Sequence, residues 1–369
     1  MISAGTFRSF HLALLARLLL LCLPLSTPAL AQMTISREPL ARGFVSIPLV
    51  TKETFKNFVL ESAESSAMIP AFCGTISTRF EKFGWDRNPC GNVPWKASLK
   101  SHAGKPLIYA EFGEGEDTTL FLSGVHPDEL TPIPVGFRLA RFLAEHKELW
   151  EGRGTRIIVA PLVNPDGFLI PRVAQRTNGN GVDLNRNLFT ADWYNRAKKW
   201  WADRRERSPS HFPGHFPNSE IETLFQIKLI EAYNPDKILS IHAPLGFLDY
   251  DGPGSATPRR MSPTEEKASR IVHAISASTK NYRIVDYSFY PGSLGNYAGN
   301  ERHIPTLTLE LETTDPTKVN EYWGQFLPGF KEMIRYPLKN SAAQVKGNAS
   351  RFFNEYQSSG ALDENGKPI

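Results

Sequence analysis

The chain has 369 residues, which allows one large catalytic domain with an extra segment or two modest domains. With 41% hydrophobic and 22% charged residues it can bury a sizeable core, so it is neither a disordered nor a collagen-like chain. A net charge of +4 is too balanced to indicate nucleic acid as a partner.

The first element in chain order is a leader. Arg8 and Arg17 precede or interrupt an apolar run at 18–25, and Ala29-Leu30-Ala31 forms an A-x-A cleavage site before Gln32. The run is too short to cross a bilayer. Residues 1–31 are therefore expected to be a signal peptide and not a stable membrane anchor. The mature protein is expected to be exported, periplasmic or secreted. Cys22 leaves with the leader, and Cys73 and Cys90 remain. In an oxidising compartment these two are expected to form one disulfide, with two free buried thiols as the alternative.

Residues 32–98 differ in pattern from the rest of the chain. They read as an N-terminal extension or small subdomain, with a short helix around 53–66 and then a loop-rich stretch containing Gly84, Pro89, Gly91 and Pro94. From 99 to 340 strand and helix patterns alternate. Strands are expected at 107–112, 119–125, 156–163, 237–241 and 306–311, and helices near 134–146, 220–233, 265–278 and 318–335. Ser219 and Glu222 have the spacing of a capping box. This alternation predicts an α/β fold with a mixed, mainly parallel central sheet and helices on both faces. The polar stretch 341–369 reads as a flexible C-terminal tail.

Polar residues gather at the ends of the expected strands. The second strand runs into His126-Pro127-Asp128-Glu129, the third into Asn164-Pro165-Asp166-Gly167, the fourth delivers His242 and the fifth carries Glu310. Open α/β sheets bind ligands beyond the carboxyl ends of their strands, so one crevice could collect all four. His126, Glu129 and His242 form a His₂Glu set, which suits zinc and leaves a fourth position open for catalysis. Glu310 is then placed to be the general base. Each signal alone is weak, because an H-x-x-E is a common accident and a lone strand-end histidine is more often structural. The loop from Arg176 to Asn187 is more specific, since it packs two arginines, an aspartate and amides among glycines.

The order H-P-D-E, N-P-D-G, R-T-N-x-x-G-V-D-L-N-R-N, S-I-H and T-L-E-L resembles the zinc carboxypeptidases of the carboxypeptidase A type across residues 100 to 338. Pro213-Gly214, Ser219-Glu220-x-Glu222 and Tyr290-Pro291-Gly292-Ser293-Leu294-Gly295 extend the likeness. The short loops are most similar to the bacterial murein-peptide amidase and carboxypeptidase branch. The resemblance implies one zinc per chain on His126, Glu129 and His242, with Glu310 as the base. It implies that Asp183 orients His126, that Asn185 and Arg186 grip the substrate's terminal carboxylate, and that Arg176 stabilises the oxyanion, with Arg172 one register away as its rival. Tyr290 falls near the family's mobile tyrosine, in a loop that reads shorter here.

The remaining residues receive plainer readings. His211 and His215 are separated by Pro213 and Gly214, which forbid a helical pair of ligands. The basic stretch 196–207, with Trp193, Trp200 and Trp201, reads as a solvated, partly packed insertion before it reads as a substrate contact. Leu294 is the candidate for lining a specificity pocket, and no acidic pocket residue stands out. A peptide, with murein peptides as the expected class, is the implied substrate. An N-acyl amino acid deacylase of the aspartoacylase type is the alternative enzyme, and a non-catalytic cell-wall peptide-binding module is the third reading.

Overall fold

Successive side chains of a strand point to opposite faces, so the nearly continuous burial of this chain's strands lets each face a different helix layer. The computed structural model describes residues 61–170, 172–252 and 263–338. The chain divides into units Met1–Val45 and Ser46–Ile369, and the first lies outside the described residues. The expected leader and tail lie outside them too.

Strands β1 (Trp95–Lys100), β2 (Pro106–Phe112), β3 (Asp117–Ser123), β4 (Thr155–Ala160), β5 (Lys237–His242), β6 (Phe247–Tyr250) and β7 (Thr306–Glu310) form one sheet. Their spatial order is β1-β2-β4-β3-β5-β7-β6. Strands β4, β3, β5 and β7 are mutually parallel, and antiparallel strands complete both sides. The sheet is mixed, with a parallel centre, as the alternation implies.

The helices are α1 (Ala63–Ala67), α2 (Ile69–Glu81), α3 (Pro132–Glu145), α4 (Pro165–Leu169), α5 (Lys198–Arg205), α6 (Ile221–Tyr233), α7 (Pro263–Ser278) and α8 (Val319–Arg335). On one face Phe121, Val159, Leu239 and Leu307 pack with Leu139 of α3, Ile275 of α7 and Phe330 of α8. On the other Leu120, Leu122, Ile158 and Ile238 pack with Phe225 and Leu229 of α6. Both faces are covered. Among the described residues no helix is long and apolar enough to cross a membrane.

The N-terminal region departs from its reading. Of the helix expected at 53–66, residues up to 60 lie outside the described residues, and within the described part Ala63–Ala67 is helical. The stretch read as loop-rich begins with α2, whose Phe72, Ile76 and Phe80 repeat at helical spacing and pack on Phe137, Leu162 and Phe168. Pro70 sits in the first turn of α2, where its missing N–H costs nothing. Cys73 and Cys90 form the disulfide. Strand β1 crosses the boundary expected at 98/99 and pairs with β2, which ties this region to the main sheet. The capping box is also absent. Glu220 is the N-cap of α6 without a side-chain bond, and the buried Glu222 instead accepts from Asn178 Nδ2 at 2.9 Å.

Candidate active site

The carboxyl ends of the parallel strands place the polar residues together. His242 is the last residue of β5 and lies directly opposite Glu310, the last of β7. His126 and Glu129 follow β3 and reach the same spot, where the ligand atoms of His126, Glu129 and His242 all lie within 4.8 Å of one another. Among the described residues no other group of three or more His, Cys, Asp or Glu has metal-binding spacing.

This centre is a closed network. His126 Nδ1 is 2.8 Å from Glu129 Oε1, and His242 Nδ1 is 2.9 Å from Glu129 Oε2. The outward nitrogens are held as well, His126 Nε2 by Asp183 Oδ1 at 2.9 Å and His242 Nε2 by Ser240 Oγ at 2.9 Å. Arg176 donates from Nε to Asp183 Oδ2 at 2.9 Å and from Nη1 to Glu129 Oε1 at 3.0 Å. Asp183 therefore does face His126, and Arg176 is the arginine at the site. Arg172 is exposed and its carbonyl accepts from Arg79. Burial pushes the Asp183 carboxyl up, but Arg176 and His126 outweigh it and hold the group well below the usual range. The Glu129 carboxyl is likewise lowered, because the two histidines outweigh burial.

The donor chemistry fits zinc. Both imidazoles turn Nδ1 inward and anchor Nε2 on an oxygen, which is how zinc-bound histidines are oriented. Two imidazole nitrogens and one carboxylate are a catalytic zinc donor set. Ser240 was missed in the sequence, although its signal was available. It stands two residues before His242 on a strand, hence on the same face.

Glu310 lies beside this centre and is bonded less firmly, accepting from the Leu245 amide at 3.4 Å. Burial raises its carboxyl, His242 opposes that, and Glu129 adds to it. Its backbone carbonyl accepts from Tyr282 OH at 2.8 Å.

The loop 176–187 carries the next group of residues. Asn178 Oδ1 accepts from the amides of Asn180 and Val182, while Gly181 takes a φ of +75° to close the turn. The N-P-D-G motif supports this loop instead of facing substrate. Asn164 donates to the carbonyls of Val125 and Arg176, and Asp166 accepts from Ser101 and Ala103.

Asn185 and Arg186 come next. Asn185 Oδ1 accepts from the Leu294 amide at 2.7 Å. The Leu294 side chain is packed in the core, so it does not line an open pocket. Gly292, at φ +76°, lets its loop lie against the Arg186 carbonyl, since a Cβ there would come within 2.1 Å of that oxygen. Arg186 is buried, with Cζ 4.4 Å from the Tyr290 ring centre and 5.1 Å from that of Trp200. Its Nη1 donates to the Asn185 carbonyl, and its buried Nε has no partner. Burial pushes the guanidinium down to about 10, with Asp183 opposing. Trp200 thus lies against Arg186 from a stretch that is, as read, solvated and partly packed, since no residue of α5 is buried. Two buried acids stand on β6 and just after it. Asp249 and Asp251 are buried, Asp249 pairs in register with Thr308, and Asp251 accepts from Thr308 Oγ1 at 2.8 Å.

A family model described as Zinc carboxypeptidase matches residues 96–343. The chain belongs to the zinc carboxypeptidase family. It is 31% identical over 153 residues to murein peptide amidase A of Escherichia coli, covering 41% of this chain and 59% of that protein. It is 29% identical over 218 residues to murein peptide amidase A of Vibrio campbellii, covering 58% and 77%. The match thus spans under two thirds of the Escherichia coli relative. The solved structure of bovine thrombin-activatable fibrinolysis inhibitor in complex with tick carboxypeptidase inhibitor superposes with a TM-score of 0.55 at 15% identity, over 80% of this chain and 99% of that one. That likeness shows the shared fold.

Proposed function

We propose that this zinc carboxypeptidase family member is a metallocarboxypeptidase that hydrolyses the C-terminal amide bond of a peptide, with murein stem peptides as its substrate class. The observation that carries the reading is the adjacency of two unlike clusters. A satisfied His126–Glu129–His242 centre stands on the strand ends, and a buried guanidinium with no carboxylate stands on the loop beside it. Two cation–π contacts at ~0.5–2 kcal/mol each do not match the several kcal/mol that burying an unpaired charge costs. A substrate carboxylate is the group that would make up the difference.

His126, Glu129 and His242 would hold one zinc per chain. Bound there, zinc supplies Lewis-acid polarisation of a carbonyl and acidifies water. Glu310 takes a proton from water and passes it to the leaving amine. Asp183 and Ser240 keep the two imidazoles turned inward. Arg176, already aimed at the centre, faces the charge that develops on the scissile carbonyl. Arg186 and Asn185 fix the terminal carboxylate, which sets the scissile bond one residue away. The murein assignment is supported by the two named relatives and by the leader, and the Cys73–Cys90 bridge agrees with export. Because β1 belongs to the sheet, we place the start of the catalytic domain at Trp95 instead of at 99, with its end at 340.

The test is direct. Purified protein should contain about one zinc per chain by elemental analysis and shorten murein peptides from the C-terminus by mass spectrometry. Hydrolysis of N-acyl amino acids alone would replace this reading with the deacylase. Full zinc occupancy after His126→Ala or His242→Ala would refute the ligand set.

A further inference from the structure

The N-terminal region forms one wall of a cavity away from the zinc ligands. A cleft of about 670 Å³ lies between residues 80–89, helix α3 and the turn leading into α8. Small-molecule sites typically span roughly 300–1,000 Å³, so the cleft has the size of one. Its N-terminal wall is fixed at several points. Cys73 and Cys90 bracket it, and Trp85 donates from Nε1 to the Pro316 carbonyl at 2.8 Å. From the other side Arg141 of α3 donates from Nη1 to the Asn88 carbonyl at 2.9 Å. Phe80 and Phe137 are buried parts of the lining. Phe83 and Trp85, stacked with centroids 4.5 Å apart, line it as half-buried rings. None of the residues placed at the active site lines this cleft.

The charge of the lining is unbalanced. Arg87, Arg138 and Arg141 line the cleft with Asp86 as the one carboxylate. Asp86 pairs with Arg141, and Arg87 reaches Glu81 at 3.9 Å. Arg138 and Arg141 stand three apart on one face of α3. Among the described residues Arg138 has no carboxylate partner, and its Nη1 donates to the neutral Asn320 Oδ1 at 2.9 Å. Burial pushes the Arg138 guanidinium down, Arg141 adds to that and Asp86 opposes it. Arg141 keeps a buried Nε without an acceptor. One carboxylate thus serves two neighbouring guanidiniums, and a buried donor goes unmet, which an incoming anion would answer. The stretches 32–60 and 339–369 each carry more basic than acidic residues, so neither complements the surplus.

We propose that this cleft is a second binding site, separate from the catalytic centre, and that it takes a sugar carrying a carboxylate. The carboxylate is read by Arg138 and Arg141, whose planar guanidiniums match it with parallel charge-assisted bonds. The C–H face of the sugar ring is apolar and covers the half-buried rings of Phe83 and Trp85. Its hydroxyls meet the polar rim at Asn320 and Thr317, both exposed. An aliphatic acid would leave the rings uncovered, and an aromatic acid would leave the rim without hydroxyl partners. A carboxylated sugar answers all three features.

Binding to the full chain tests this and needs no turnover. Calorimetry and quenching of tryptophan fluorescence would compare glucuronate with glucose, acetate and benzoate. The wild type should bind glucuronate ~10-fold or more tighter than glucose, as one charge-assisted contact implies, and tighter than either simple acid. Arg138→Gln breaks no ion pair among the described residues, so its melting temperature should be unchanged while most of the advantage over glucose is lost. Arg141→Gln should lose that advantage as well. Arg186→Gln should retain it, which separates the cleft from the guanidinium at the active site. Peptide kcat/KM in Arg138→Gln should stay within ~2-fold of wild type, because the two sites share no residue. Equal binding of glucuronate and glucose overturns the inference, as does a preference that survives Arg138→Gln or disappears in Arg186→Gln. Acetate or benzoate binding as tightly as glucuronate overturns the sugar assignment. Each of these outcomes leaves the carboxypeptidase reading untouched, since that reading is decided by peptide cleavage alone.

Discussion

Within the single loop 176–187 the molecule handles charge in two opposite ways. At the His126 end each imidazole nitrogen, the Glu129 carboxylate and Asp183 all have partners between 2.8 and 3.0 Å. At the Arg186 end a buried guanidinium rests on aromatic faces without an anion. The first arrangement is satisfied before anything binds, so its geometry is fixed in advance, as a catalytic centre requires. The second stays costly until a ligand arrives, so binding there gains what folding left unmet. Pairing thus separates the residues that organise the chemistry from those that recognise the substrate.

The largest expected effect comes from Glu310, which stands beside the closed network and is bonded only weakly. Glu310→Gln keeps the shape and removes the proton acceptor. Turnover should fall by ~10²–10⁴-fold while zinc content is unchanged. A raised carboxyl is ionised, and able to act as a base, only above its elevated value. The acidic limb of the wild-type kcat profile should therefore lie above the ordinary glutamate value of about 4.3. Near wild-type turnover in Glu310→Gln would remove it from the role of base.

A smaller effect is expected at the unpaired end, and it tests the comparison itself. Arg186→Lys keeps the charge but loses the planar fork, so kcat/KM should drop by ~10–100-fold. Amidating the substrate's terminal carboxylate should cost the wild type heavily and cost Arg186→Ala little, because that contact is already gone. The two changes should be non-additive on a four-corner cycle. Simple additivity would show that Arg186 does not read the carboxylate, and the contrast between the two ends would lose its meaning.

The sheet and most helices were legible because short apolar runs and amphipathic helices advertise themselves locally. Strand β7 was expected at 306–311 and ends at Glu310, and α8 was expected at 318–335 and begins at Val319. The His126, Glu129, His242 and Glu310 positions were legible because strand ends in such sheets converge. Helix α2 was hidden by Gly74 and a run of Thr and Ser between its apolar residues. The capping box failed because Glu222 had a stronger use, accepting from Asn178 in the interior. Trp200 was undecidable from spacing alone, since its role depends on Trp193 and Trp201 pinning α5 against residues far along the chain.

The smallest expected effect on turnover, and the one that reaches both ends of the loop, lies at Glu222. Asn178 Nδ2 donates to Glu222 and also to Glu220, so these acids anchor the loop that carries Arg176, Asp183 and Arg186. Burial pushes the Glu222 carboxyl up to about 7, with Asp166 and Glu220 adding and the bond from Asn178 opposing. Unfolded, the same carboxyl titrates near 4.3. Between these values the native protein holds a proton that the unfolded chain has released, so the slope of stability with pH is negative. This stabilising contribution is present below about 4.3 and is lost as pH rises through about 7. Glu222→Gln resembles the protonated acid and still offers an oxygen to Asn178. It should leave stability nearly unchanged at pH 4 and raise it by ~1–3 kcal/mol at pH 8, read from urea melts. Its kcat/KM should stay within ~2-fold of wild type, because neither cluster loses a contact. Glu222→Ala removes the acceptor, so it should loosen the loop and lower activity at both ends together. A Glu222→Gln variant with the same pH dependence as wild type would show that this carboxyl is already ionised in the native state, and its anchoring role would then rest on charge.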